Sequence, residues 1–259
     1  MDFPERPDVR APRGFRFSLW SLSTLLFLRQ FGNIFFKWRE KMKRIVIILT
    51  ILTLVVTGVI SLESQVYGQN AKKVLMFLRD GESYDLDLML KMEVGTMTTM
   101  LIKKAGFHVD VASSSGQPLA GQHEKIEKVM RLSEIKLDDY MGIIIPCLNI
   151  MKGTVTPEAV AVIKKALADG KPVAANMSAV TILAGADLLK GKKYAFFDDP
   201  LKRQSPDLRF ADAIYTGRAP VQDGNIITSG GCPATERYLS VQNRTFELTQ
   251  TFIAAIGPK

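Results

Sequence analysis

The chain predicts an α/β fold in which helices cover both faces of a mainly parallel sheet, and three observations carry that prediction. Short, wholly apolar runs such as residues 142–146 (GIIIP) read as strands buried on both sides. Longer segments with apolar residues at helical spacing, such as 85–105, lie between them. The two kinds alternate along the chain, as βαβ crossovers require. At 259 residues, one such domain plus an appendage is the simplest division.

The elements follow in order. Residues 72–78 (KKVLMFL) form the first strand, broken by Arg79-Asp80-Gly81-Glu82. Residues 85–105 form a helix with Leu86, Met89, Leu90, Met97, Met100 and Leu101 on its apolar face; its methionines fit a core, because methionine fills irregular gaps. Gly95 marks a kink or a close approach inside this helix, and Gly106 ends it as a C-cap glycine does. Residues 107–113 alternate as a second strand, a Ser/Gly/Pro loop runs to 121, and 124–141 hold a short strand and a short helix. Residues 142–146 are a buried strand with Cys147 in the loop beyond it. Thr156-Pro157-Glu158 opens a helix that reaches Asp169, with proline at its favoured first position. Residues 193–197 and 213–216 are further strands, joined by a Pro- and charge-rich loop. A hairpin-like turn at Gly224-Asn225 leads into a strand over 226–229, and a last helix runs from Ala234 to about Ile256.

The stretch 170–191, GKPVAANMSAVTILAGADLLKG, organises the rest. A strand over 171–176 passes at once into a helix with Val180, Ile182, Leu183, Ala186 and Leu189 at helical spacing. Slim residues at the junction permit a sharp turn. In an open parallel sheet that turn lies at the carboxyl edge, where sites form and helix N-termini favour anions.

This stretch resembles the nucleophile elbow of the ThiJ/PfpI family, within the class I glutamine amidotransferase-like superfamily, which reads G-K-P-V-A-A-x-C-H-G before a helix ending in L-L-K-G. Gly170 to Ala175 and Leu188 to Gly191 keep that frame, but Met177 stands at the cysteine, Ser178 at the histidine and Ala179 at the glycine. The resemblance spans 72–256 and includes AGFHVDVASSSGQPLAG, DDYMGIIIP and DGNIITSGG. It implies a flavodoxin-like three-layer sandwich and a homodimer. It also implies a glutamate near the cysteine. Counting back from Gly106 lands on Val94, which makes Glu93 the nearest candidate. The family has glycines after the GIIIP-type strand, whose N–H groups approach an oxyanion; here Cys147-Leu148-Asn149 replace them.

A thioether has no proton to lose, so Met177 cannot act as the family's thiolate, and a Ser178 hydroxyl needs a positioned base. His108 reads as structural and His123 falls in a loop. An inert elbow follows. Cys147 and Cys232 each come after a central strand and belong near Met177. They read as buried apolar thiols, as a disulfide if the domain is exported, or as a displaced nucleophile or redox group. Two cysteines without a nearby histidine make a poor metal site, and no cofactor is expected. The sequence thus predicts a non-catalytic module binding a small ligand or protein, against the alternative of a thiol-dependent hydrolase or glyoxalase-like enzyme using Cys147 or Cys232.

The net charge of +8 does not point to nucleic acid. Residues 1–44 hold ten Lys/Arg and four Asp/Glu, a net +6, which leaves +2 for the remainder. Lys41, Lys43 and Arg44 precede sixteen uncharged residues, 45–60, with Gly68 beyond. Basic flank, apolar run and small residue describe a signal peptide. The run reaches roughly 24 Å, short of a bilayer's ~30 Å core, so cleavage near Gly68 stands beside retention as a membrane anchor. Met1 or Met42 is the start. Residues 1–69 are therefore read as a basic, hydrophobic leader and 70–259 as the domain, placed outside the membrane's cytoplasmic face or anchored to it.

Overall fold

The computed structural model describes residues 72–153 and 156–257, together with Met42, Lys43 and Thr50. The leader expected over 1–69 otherwise lies outside the described residues. Among those described, no helix is long and apolar enough to cross a membrane.

Seven strands form one sheet: β1 (Lys73–Phe77), β3 (His108–Ser113), β6 (Met130–Arg131), β7 (Tyr140–Ile145), β9 (Val173–Asn176), β12 (Val221–Asp223) and β13 (Ile226–Ser229). Their order is β12-β13-β9-β7-β1-β3-β6, and every pairing is parallel except that of the edge strand β12 with β13. Three small two-stranded ribbons lie apart: β2 (Gly81–Ser83) with β8 (Ile150–Gly153), β4 (Leu119–Ala120) with β5 (Lys125–Ile126), and β10 (Lys193–Tyr194) with β11 (Ile214–Tyr215).

The apolar strands are buried on both sides, and their alternate residues serve two cores. Leu75, Phe77, Ile143, Ile145, Val173 and Ala175 pack on one face; Val74, Met76, Ile144, Ala174 and Ile227 pack on the other. The first face is covered by α2 (Pro157–Ala168) and α3 (Val180–Gly185) through Ala159, Ile163, Val180 and Leu183. The second is covered by α1 (residues 86–104) and α5 (Thr245–Ile256) through Met89, Met97, Leu101, Leu248 and Phe252. Each fully buried Val, Leu, Ile, Phe or Met among them contributes about 1.5–3 kcal/mol of transfer free energy. This is the three-layer α/β/α sandwich that the sequence predicts.

Several local expectations need correction. The helix after the elbow stops at Gly185, because Asp187 turns left-handed (φ 59°) and Leu188 and Leu189 pack in the turn that follows. The expected last helix is two helices, α4 (Pro233–Leu239) and α5, separated at Ser240, which is also left-handed (φ 54°). The strand expected over 193–197 pairs only at Lys193–Tyr194. Helix α1 contains two π turns, Leu90–Val94 and Met100–Lys104, each a wider i→i+5 turn that takes up an extra residue.

Chain order reverses where β1, flanked by β3, meets β7 on its other side, and that crevice opens at the carboxyl ends of the strands. The residues that follow those ends are Arg79 after β1, Cys147 after β7, Met177 after β9 and Cys232 after β13. Gly230 and Gly231 make the last exit possible. A Cβ on Gly230 would meet the Phe196 carbonyl oxygen at 2.2 Å, and one on Gly231 would meet that of Gln242 at 2.1 Å.

Two glycine substitutions should therefore act in opposite directions. Gly95 has helical angles, and a Cβ added there would come no closer than 3.5 Å to the Leu90 carbonyl oxygen, so Gly95→Ala should stabilise by about 0.5–1 kcal/mol. Gly231→Ala forces backbone apart and should destabilise by about 1–3 kcal/mol, both read from urea midpoints at unchanged slope.

Candidate functional site

The elbow keeps its shape. Asn176 ends β9 in extended conformation, Met177 turns left-handed at φ 44°, and a 3-10 turn, Met177–Ala179, leads into α3. A side chain with a Cβ is uncommon at positive φ, and Leu148 (φ 53°) and Asn149 (φ 50°) share the condition in the loop after β7. Three strained residues thus meet at one edge of the sheet, where such strain is usually functional.

Beneath Met177 lies Cys147, with no exposed surface. Its sulfur stands 3.1 Å from Ser178 Oγ, 3.4 Å from the Asn149 amide nitrogen and 3.9 Å from Met177 Sδ. Arg79, 5% exposed, donates through Nη2 to the Cys147 carbonyl oxygen at 2.6 Å and to Ser178 Oγ, while its buried Nε has no partner. Cys232 stands at the N-cap of α4, where its amide donates to Thr235 Oγ1 at 2.8 Å. Both cysteines are free thiols, so the disulfide considered from the sequence is not formed here.

Glu93, from the first π turn of α1, is completely buried. Oε1 accepts from the Cys147 amide at 2.9 Å and from Asn176 Nδ2 at 2.7 Å, and Oε2 accepts from the Leu148 amide at 3.0 Å. Asn176 continues the network: its Oδ1 accepts from Ser229 Oγ at 2.6 Å and its Nδ2 also reaches Thr245 Oγ1 at 3.3 Å.

These environments pull the ionisable groups apart. Burial, then the nearby Cys147 charge, raises Glu93 to about 8 against the three N–H donors that lower it. Burial would also raise Cys147, but hydrogen bonds from Cys232 and Ser178 and the Arg79 charge outweigh it and bring the thiol down to about 6. Cys232 moves up, because its hydrogen bond to Cys147 holds its proton and burial disfavours its charge. Burial lowers Arg79 while Cys147 and Glu93 oppose that. Burial thus works against charge on Glu93 and on Arg79, while the surroundings of Cys147 favour its thiolate.

Residues 72–241 match the DJ-1/PfpI family model. The chain belongs to the DJ-1/PfpI family. A protein of Methanocaldococcus jannaschii is 31% identical over 198 residues, 73% of this chain and 89% of the relative. A deglycase of Thermococcus kodakarensis is 30% identical over 161 residues, 61% of this chain and 89% of the relative. The structure of Drosophila melanogaster DJ-1beta superposes with a TM-score of 0.52 at 18% identity, covering 73% of this chain and 92% of that one, a likeness of fold.

In this DJ-1/PfpI chain the sequence candidates Glu93, Cys147, Met177, Ser178 and Cys232 all come to one place, while His108 pairs with Asp110 on an exposed part of β3. Counting back from Gly106 lands on Val94, next to Glu93, and the π turn Met100–Lys104 lies between Gly106 and both. The backbone donors that replace the family's loop glycines are the Cys147 and Leu148 amides, and both are taken by Glu93. Sequence reasoning passed over Arg79 and Asn176. The available signal was a polar residue at the end of each buried strand. Among the described residues, no group of three or more His, Cys, Asp or Glu is placed to hold a metal ion.

The pH dependence follows. Alkylation of Cys147 should rise with pH through a midpoint near 6, and Arg79→Gln should move that midpoint upward. Glu93 is held neutral in the fold but ionises near 4.5 when unfolded, so its contribution is full below that value and is lost as pH rises through about 8. The stability gap between the natural chain and Glu93→Gln should therefore narrow between pH 5 and 8 in denaturant titrations.

Proposed function

We propose that this chain is a thiol-dependent enzyme in which Cys147, one strand away from the altered elbow, is the nucleophile. The observation that supports this most is the Cys147 sulfur itself, stabilised as a thiolate by the Ser178 hydroxyl and the Arg79 guanidinium. An inert scaffold has no use for a strained bend, a buried cation and a buried acid gathered around one sulfur. The reaction class we assign is the one named for the Thermococcus relative, deglycation. The thiolate attacks the carbinolamine carbon that carries the amine, the C–N bond breaks and the amine leaves with a proton from water. The resulting hemithioacetal then loses its hydroxyl proton to the hydroxide left behind, its S–C bond breaks, and the carbonyl compound and the thiolate are released. Glu93 acts as a positioning residue through the Cys147 and Leu148 amides.

Substrate must reach a covered sulfur. The Leu148 carbonyl is held by Ser83 Oγ at 2.6 Å, and β2 pairs with β8, so this ribbon and loop must lift. Ser83 also lines a polar cavity of about 510 Å³ with Tyr84, Asp85 and Gln122, which offers an approach beside the ribbon although it touches neither Cys147 nor Met177.

Complete burial of Cys147 favours a second reading, a non-catalytic module that binds a small ligand or protein at the same edge. Cys147→Ser should reduce release of carbonyl compound from a glycated amine on the order of a thousandfold or more. No turnover by the natural chain, with Cys147 alkylated only after unfolding, selects the second reading.

We further propose that the 45–60 segment exports or anchors the domain, that nucleic acid is not a partner and that the chain forms a homodimer. N-terminal sequencing from the envelope fraction should find a start within 69–72 if the leader is removed; an intact Met1 in the soluble cytosol overturns the export proposal.

A further inference from the structure

We propose that the outer face of α1, with the groove between α1 and α5, is a docking surface for an anionic lipid bilayer. The exposed stripe of α1 carries Lys91, Met92, Thr99, Ile102 and Lys103, with Lys104 beside it. The helix has two acids, Asp87 in its first turn and Glu93, which is buried. No exposed carboxylate of α1 beyond Asp87 therefore offsets the three lysines. Apolar side chains stand among these charges: Met92 is 45% exposed, Ile102 45% and, from α5, Phe246 42%. Beside them lies a groove of about 420 Å³ walled by Met100, Ala105, Phe246, Ile253 and Ala254. Lys104 Nζ sits over the Phe246 ring, 5.0 Å from its centre. Ammonium groups on long stems around exposed apolar side chains suit the boundary of a bilayer. There the charges meet phosphates while the apolar groups enter hydrocarbon.

A second copy of the chain fits this face poorly. A twofold contact would bring the same three lysines from each copy into one interface, and Glu247 of α5 is already paired with Arg244 at 3.0 Å. The connections of the chain favour a membrane instead. Lys72 precedes β1, and its carbonyl oxygen accepts from the His108 amide at 3.0 Å, just past the end of α1. The chain thus enters the domain near the Lys103-Lys104 end of the helix. Eleven residues, 61–71, separate the uncharged run 45–60 from Lys72. Fully extended they span roughly 40 Å, so a run held in a bilayer keeps α1 within reach of its surface. That step rests on the anchoring proposal; the charge pattern and the exposed apolar groups do not. Each lysine near an anionic surface strengthens association about fivefold, and raised salt screens the gain.

The full-length chain should be mixed with vesicles of phosphatidylcholine alone or with phosphatidylglycerol added, acylated at lysine and mapped by peptide mass. The expected result is a severalfold loss of labelling at Lys91, Lys103 and Lys104 with the anionic vesicles only, reversed by salt. Lys202, 83% exposed and far along the chain, should label equally in both. Lys103→Gln combined with Lys104→Gln should remove the protection of Lys91 without changing the labelling of Lys202. Equal labelling of the three lysines in both kinds of vesicle overturns the docking surface; if the chain is still retained on both, the anchoring proposal survives alone. Protection by anionic vesicles from which high salt releases the whole chain sustains the surface and removes the anchor. Protection that needs no vesicle and grows with protein concentration assigns the face to a second copy and overturns the lipid.

Discussion

The carboxyl group of Glu93 is the tie on which this edge of the sheet depends. From one helix it binds the backbone after β7 at two consecutive amides and, through Asn176, the end of β9; Asn176 then reaches Ser229 on β13 and Thr245 at the start of α5. A buried carboxyl group is costly unless its oxygens are satisfied, and three N–H donors satisfy them. The same donors explain the loop. Leu148 and Asn149 hold left-handed angles that no glycine provides, and their amides or neighbours are fixed by Glu93 and by the Cys147 sulfur. The network makes the strained loop a rigid part of the fold.

That arrangement has a chemical consequence. In a chain with free amides after β7, those N–H groups are available to an oxyanion. Here they face a carboxyl group, which leaves Arg79, nearly buried and with one donor nitrogen unpaired, as the cation at this edge. A neutral Glu93 and a cationic Arg79 are mutually consistent. An ionised Glu93 would place a second negative charge beside the Cys147 thiolate, and the rise of Glu93 to about 8 expresses that conflict together with burial.

Much of this was legible in the residues. Buried parallel strands read as continuous apolar runs, so β1, β7 and β9 and the edge they share were visible, and Met177 was visibly at the bend. Glu93 stood one residue from the counted position, inside the first of two π turns whose i→i+5 hydrogen bonds leave no mark in apolar periodicity. The break at Ser240 was hidden for a related reason. Val241 and Leu248 continue an apolar pattern across it, and only the backbone reveals the left-handed residue between α4 and α5. Arg79 looked like the polar stop of a strand. Its role appears only when the sheet sets β1 beside β7, a long-range fact with no local signature.

The altered elbow can now be weighed against what surrounds it. A bend with φ 44° at methionine costs on the order of 1–3 kcal/mol, and nothing in methionine's own chemistry returns that energy. The bend does place Ser178 between Arg79 and the Cys147 sulfur, and relaxing it would carry Ser178 away and strand a buried cation. The strain is therefore held by the hydrogen bonds that Ser178 makes. On this view the elbow no longer presents a sulfur of its own. It holds in place the hydroxyl that stabilises a sulfur delivered by the neighbouring strand, with the two sulfur atoms 3.9 Å apart.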